Sequence, residues 1–329
     1  MYQPKDSSKS PRFTGVRTFM RLENIRTTDN VDFVVVGVPF DTAASNRVGT
    51  RYGPQHIREF SVLLRPYNPD QEINIFDYCS GVDYGDIDVV PGNIHRTYDN
   101  MVEGLNPILE KDVTPIIMGG DHSISLGNLR AFYKKYGPIS LVHFDSHGDT
   151  WDNYYGEKYM HGTPFRRAVE EGLIDVEHSI QVGMRGPLYG PEDIEDARDL
   201  GFEVIPMKEV RKIGQEEVLR RIHGRVSGDR PVFVTFDIDF VDPAYAPGTG
   251  TPEVAGPTSY EALEYVRGLD GLNMVGFDLV EVLPAYDHGE ITAALASAVA
   301  FEMITLVALK KRREKASETA STKREKEFS

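Results

Sequence analysis

The chain has 329 residues, 40% of them hydrophobic and 26% charged. This composition excludes fibrous and intrinsically disordered classes and supplies enough apolar material for one large α/β domain or two ordinary ones. Its 51 acidic residues outnumber 36 basic ones, and the resulting charge of −15 repels nucleic acid and anionic membranes at long range while admitting small cations.

Cys79 is the single cysteine, so an intramolecular disulfide and a thiolate metal cluster are both excluded, and any metal must be held by His and carboxylates. The first ten residues, MYQPKDSSKS, lack the apolar core of a signal peptide, and no run of 18 apolar residues occurs; the chain reads as cytoplasmic and not membrane-bound.

In chain order, residues 1–30 are polar and read as an N-terminal extension, and VDFVVVGVPF at 31–40 reads as a buried strand. Short β-branched runs recur at Thr114–Met118, Ile139–Phe144, Ser179–Met184, Phe202–Pro206, Val232–Phe236 and Leu272–Phe277. Segments of helical periodicity lie between them, at Ile94–Leu109, Leu126–Tyr136, Pro164–Glu171, Pro191–Asp199, Gln215–His223 and Tyr260–Arg267. Such alternation predicts a mainly parallel sheet wrapped by helices, with ligands at the carboxyl ends of the strands. No linker divides residues 31–309, which form one predicted domain. The charged segment 310–329, KKRREKASETASTKREKEFS, reads as a disordered end or a frayed helix extension.

Three strand ends carry chemistry. In LVHFDSHGDT at 141–150, Asp145, His147 and Asp149 follow at spacing i, i+2, i+4, which points them the same way in extended chain. Ninety residues on, VFVTFDIDFVDP at 232–243 places Asp237 and Asp239 on one face, where two anions repel unless a cation neutralises them. GGDHS at 119–123 presents His122 after a glycine pair. Singly, each residue is equally well a cap or turn residue. Jointly, two His and four Asp from three strand ends predict two bridged divalent ions, Mn2+ or a related first-row ion, that activate a water. GTGTPEVAG lacks the Lys-Ser/Thr ending of a phosphate loop. FDSHGD faintly echoes dinuclear phosphoesterases, whose later Gly-Asn-His segment is absent here.

GVPFD at 37–41, GGDHS, FDSHGDT and FDIDFVDPAYAPGTGTPEVAG at 236–256 together resemble the ureohydrolase family of arginases, agmatinases and guanidinobutyrases, in that family's order. The resemblance implies a three-layer α/β/α sandwich of the arginase/deacetylase type, assembled as a homo-trimer or hexamer, with two Mn2+ per subunit and Ni2+ as the alternative. It implies one ion on His122, Asp145, Asp149 and Asp237 and the other on Asp145, His147, Asp237 and Asp239, with Asp149 orienting the attacking hydroxide. His161 would pass protons to the leaving amine, Glu281 would pair with the guanidinium, and Thr251 would bond beside it. Ser146, Gly148 and Phe240 depart from residues common in the family, and Phe240 would either narrow the pocket or fill core.

For the substrate's far end, Asn153, Tyr154 and Tyr155 suit a primary amine, which favours agmatine cleaved to putrescine and urea. The alternatives are 4-guanidinobutyrate or another guanidino acid, with Arg47 or Arg65 meeting its carboxylate, and guanidine or a biguanide such as metformin. A reading of another class is an inactive metal-binding partner subunit.

Overall fold

The computed structural model describes residues 1–226 and 228–327. Its strands are β1 (Phe33–Val38), β2 (Tyr67–Asn68), β3 (Ile73–Asn74), β4 (Gly81–Asp86), β5 (Thr114–Gly119), β6 (Ser140–Phe144), β7 (Ile180–Val182), β8 (Glu203–Ile205), β9 (Val232–Asp237) and β10 (Met274–Val280). The helices are α1 (Gly53–Ser61), α2 (Ile94–Glu110), α3 (Ile124–Tyr136), α4 (Pro164–Glu170), α5 (Glu192–Asp199), α6 (Met207–Ile213), α7 (Gln215–Arg225), α8 (Ser259–Arg267) and α9 (Ile291–Glu327).

Eight strands form one sheet in the order β4-β1-β5-β10-β9-β6-β7-β8, and every pairing in it is parallel. Parallel pairs need helical crossovers that cover both faces, which is why FVVVGV in β1 and MVGFDLV in β10 are buried throughout rather than alternating. Two cores result. Side chains of α1, α6, α7, α8 and α9 pack on one face, and those of α2, α3, α4 and α5 on the other. This is the expected three-layer sandwich. The sequence reading missed edge strand β4 and helices α1 and α6; GVDYGD and GPQHIREFS carry few apolar residues.

The structure refines both predicted ends. Phe19, Met20 and Leu22 are buried in the core, Phe19 N donates to Asp83 Oδ2 at 2.8 Å and Met20 N to Ser61 Oγ at 2.9 Å, so the packed body starts upstream of residue 31. At the other end, α9 continues to Glu327, which is the helix-extension alternative for the charged segment rather than the disordered one. Lys, Arg, Glu and Ala are strong helix formers, and the first basic residues are anchored: Lys310 Nζ donates to Asn273 Oδ1 at 2.8 Å and Arg313 pairs with Asp270 at 2.7 Å. Residues 328 and 329 lie outside the described residues. By length and composition Ile291–Thr319 could cross a membrane, yet 83% of its most apolar stretch is buried inside the fold, as in a core helix.

The sheet order sets β5, β10, β9 and β6 side by side. Their carboxyl ends deliver His122, Glu281, Asp237 and Asp145 to one rim, although these segments are far apart in sequence.

Candidate metal centre

After β5 the chain turns at Gly119 and Gly120 into α3. A Cβ on Gly120 would lie 1.9 Å from the Phe40 carbonyl oxygen, so only glycine lets the two backbones approach and present His122. His122 is fully buried, and its Nδ1 lies 3.0 Å from Asp145 Oδ2, 2.9 Å from Asp149 Oδ2 and 3.3 Å from Asp237 Oδ2. Nevertheless Nδ1 makes no hydrogen bond. A buried ring nitrogen aimed among three carboxylate oxygens without bonding any of them is the arrangement that a cation between them requires. On the ring's far side, Nε2 lies 2.8 Å from Thr235 Oγ1, and that hydroxyl bonds Asp278.

A second group shares Asp145. His147 Nδ1 lies 3.1 Å from Asp239 Oδ2 and 3.5 Å from Asp145 Oδ1, and His147 N donates to that Oδ1 at 2.6 Å. Asp239 Oδ1 accepts from Ser146 Oγ at 2.7 Å, and Asp239 Oδ2 accepts from Thr251 Oγ1 at 3.3 Å. Asp237 Oδ1 accepts from Asp239 N at 2.8 Å. All six predicted ligand residues therefore converge, in two groups around Asp145.

The electrostatics call for positive charge. Burial raises the pKa of Asp237 well above the ordinary carboxylate value, and Asp239 and Asp145 raise it further. Asp239 is also raised, by burial and Asp145, against the pull of His147. Asp145 is instead held well below the ordinary value: burial opposes this, but His143, His122 and His147 prevail. The donor set of imidazole nitrogens and carboxylate oxygens fits a first-row divalent ion. Asp149 and Glu281 both adopt left-handed backbone, with φ of 51° and 62°, strain of the kind concentrated at functional sites.

His161 stands beside this centre. Its Nδ1 lies 3.1 Å from Glu281 Oε1, and its Nε2 lies 2.6 Å from Ser45 Oγ and 3.1 Å from Ser45 N. Glu281 Oε1 also accepts from His122 N at 2.9 Å. Burial works against a charged His161, but the Glu281 hydrogen bond and charge outweigh it, pushing its pKa up to about 9.

A cavity of about 110 Å3 opens onto His147, Asp149, Asp237, His161 and Thr251. Its outer wall is Trp151 and Tyr154, stacked at 4.8 Å and 27°, with Asp193 beside them. The side chains lining it include no Lys or Arg among the described residues. Glu281 is 1% exposed and reaches the cavity through His161 rather than by its own surface.

Some expected neighbours sit elsewhere. Asn153 is exposed on an adjoining outer groove with Tyr155, on the far side of the Trp151 and Tyr154 wall. Arg47 lies over the Tyr286 ring at 4.1 Å and donates to Thr249 O at 3.3 Å, and Arg65 is exposed outside the cavity. Phe240 fills core, 5.3 Å from Phe144 and 5.6 Å from Phe236.

Sequence reasoning missed His143 and Gln181, whereas Ser45 and Trp151 belong to the two segments, SNRVGTRYGP and WDNYYGEKYMHGTPF, that the sequence placed at the mouth of the site. Of the two missed, only His143 had a legible signal, since it lies on β6 two residues before Asp145.

The arginase family model matches residues 31–305. Guanidinobutyrase from Pseudomonas aeruginosa is 41% identical over 310 residues, covering 93% of this chain and 97% of that protein. Mitochondrial agmatinase from Gallus gallus is 43% identical over 304 residues, covering 92% and 89%. The solved structure of proclavaminate amidinohydrolase from Streptomyces clavuligerus superposes with a TM-score of 0.87 at 40% identity, covering 91% and 99%.

Proposed function

The chain belongs to the arginase family of dinuclear-metal hydrolases acting on amidine C–N bonds, and from that premise we propose that it releases urea from agmatine, leaving putrescine. The observation that carries the choice of agmatine is the cavity wall. Beyond His161 it offers the Trp151 and Tyr154 rings and the Asp193 carboxylate, with no lining Lys or Arg among the described residues. A terminal ammonium gains from aromatic faces and an acid, whereas a terminal carboxylate would be desolvated there without a partner. Arg47, the side chain suited to a guanidino acid, is committed to Tyr286 and Thr249.

In this reading His122, Asp145, Asp149 and Asp237 hold one ion, Asp145, His147, Asp237 and Asp239 the other, and Mn2+ is the resident metal with Ni2+ the alternative. When bound, such a pair supplies a hydroxide at neutral pH for attack on the guanidinium carbon. The protein's own groups do the rest. Asp149 accepts the nucleophile's proton and orients it. His161, whose pKa Glu281 raises, passes a proton to the departing amine. Thr251 steadies Asp239 beside the substrate. Assembly as a cytoplasmic homo-trimer or hexamer completes the proposal, and light scattering after gel filtration reads the assembly.

The test is urea release, with Mn2+ and with Ni2+, across agmatine, arginine, 4-guanidinobutyrate, 3-guanidinopropionate, guanidine and metformin. Agmatine is expected to give the highest kcat/KM. A guanidino acid ahead of it would overturn the agmatine assignment, and no urea from any of them by metal-loaded protein would favour the inactive-subunit reading.

A further inference from the structure

One buried side chain beside the centre has no part in the function proposed above. His143 lies on β6, fully buried, and close enough to His122 and Asp145 that the three could share an ion. Its β7 register partner is Gln181, also fully buried. The Phe165 ring covers His143 at 4.4 Å and His122 at 5.2 Å.

The hydrogen bonds decide what His143 can do. Gln181 Nε2 lies 2.7 Å from the Gly148 carbonyl oxygen. A carbonyl only accepts, so the amide nitrogen and not Oε1 must face it; the reverse orientation would set two acceptors against each other. The same amide nitrogen lies 3.0 Å from His143 Nδ1. Both of its protons are then spent, and Nδ1 is an acceptor. A neutral imidazole whose Nδ1 accepts carries its proton on Nε2, and that Nε2 lies 2.7 Å from Asp145 Oδ2. The cost of this arrangement is visible: Gln181 Oε1 is buried with no partner.

We infer that His143 is not a metal ligand but the positioning residue for Asp145, its Nε2–H fixed on Oδ2 by Gln181. A protonated Nε2 has no lone pair to give an ion. Asp145 has to face two ways at once, Oδ2 toward His122 Nδ1 at 3.0 Å and Oδ1 toward the His147 amide at 2.6 Å. A carboxylate free to rotate would lose one of these directions, and the His143 donor stops that rotation. Through Gly148 O, the same glutamine also steadies the turn that carries Asp149.

The inference rests on the dinuclear reading of the site, and its test reads metal binding separately from turnover. Full-length wild type, His143→Leu, His143→Gln and Gln181→Leu are stripped of metal and titrated with Mn2+ against a chelator, and metal per chain at saturation is measured. His143→Leu is expected to saturate at the wild-type stoichiometry with affinity lowered about 10–100-fold, as for other groups that orient a ligand. His143→Gln, which keeps a donor near the Nε2 position, is expected to recover most of that loss, a rescue that bulk packing alone would not produce. Gln181→Leu, which leaves His143 in place, is expected to weaken binding in the same direction and serves if His143→Leu does not fold. Saturation of His143→Leu one ion short of wild type would make His143 a ligand and overturn the inference; so would affinities of both Leu variants within about twofold of wild type. Wild type that binds its metal but releases no urea would sink the proposed function and leave this result standing.

Discussion

Glu281 and His161 form a hydrogen-bonded pair, with Oε1 3.1 Å from Nδ1, and the same oxygen accepts the His122 amide at 2.9 Å. One carboxylate immediately after β10 thus ties the loop that precedes α4 to the turn after β5. A proton-carrying residue and a metal-facing residue are held in register by a group that itself has left-handed backbone.

The pair predicts a pH dependence of stability. His161 is raised from its ordinary value of 6.5 to about 9, with burial opposing and Glu281 prevailing. A group raised on folding contributes stability that is complete below its unfolded pKa and is lost as pH climbs through the folded one. Metal-free wild type should therefore lose stability relative to His161→Asn between pH 6.5 and about 9. Urea denaturation of both proteins across that range checks it, and a constant difference would refute it.

Asp149 and Asp237 should separate chemistry from metal holding. Asp149→Asn keeps an oxygen near His122 but loses the base, so urea release should fall by about 10²–10⁴-fold with most metal retained. Asp237→Ala removes a carboxylate from the most crowded anionic position and should lose metal outright. Metal analysis beside a urea assay reads both, and retained turnover in either variant would defeat the site assignment.

Gly120 is required by space and not by backbone angle. A Cβ there would meet Phe40 O at 1.9 Å, Phe40 N at 2.8 Å and Val38 O at 2.8 Å, all backbone atoms that cannot rotate away. Gly120→Ala should destabilise by about 1–3 kcal/mol or more and displace His122. Chemical denaturation of the metal-free protein measures the first effect, and weakened Mn2+ binding the second.

Arg58 on α1 holds the N-terminal stretch to the sheet. It is 8% exposed, donating to Asp83 Oδ2 at 2.8 Å, Asp83 Oδ1 at 3.0 Å and Asp86 Oδ1 at 2.6 Å, while Asp83 Oδ2 also accepts from Phe19 N. Arg58→Met leaves Asp83 buried without its cation, and the expected loss is about 3–5 kcal/mol. A melting temperature unchanged from wild type would contradict it.

Much of the centre was legible before the fold. The i, i+2 spacing singled out Asp145, His147, Asp149, Asp237 and Asp239, but not for the reason expected of extended chain: β6 ends at Phe144, Asp149 has left-handed backbone and Asp239 lies in a 3-10 turn, so it is the turns after the strands that aim them. The glycine pair before His122 marked the turn that presents it, and the structure adds the close approach of the Phe40 backbone at Gly120. Continuous apolar runs such as FVVVGV implied strands covered on both faces, hence the parallel sheet and its two helical layers. All of these are properties of neighbours in the chain.

Other features depended on segments that meet only when folded. Gln181 touches His143 because β7 pairs with β6 in one register, and Ser45 touches His161 across 116 residues of chain. Trp151 and Tyr154 stack on each other in the cavity wall and Asn153 lies on its far side, which no spacing rule anticipates. The charged end became a continuation of α9 because Asn273 and Asp270 receive its first basic residues. The identities of the six ligand-type residues were thus local facts, written in their spacing at strand ends and in charge repulsion. Their convergence on one rim, and the carboxylates, amides and rings that aim them, were decided by strand order and packing, because hydrogen bonds and steric contacts act between whatever groups the fold brings within a few ångströms.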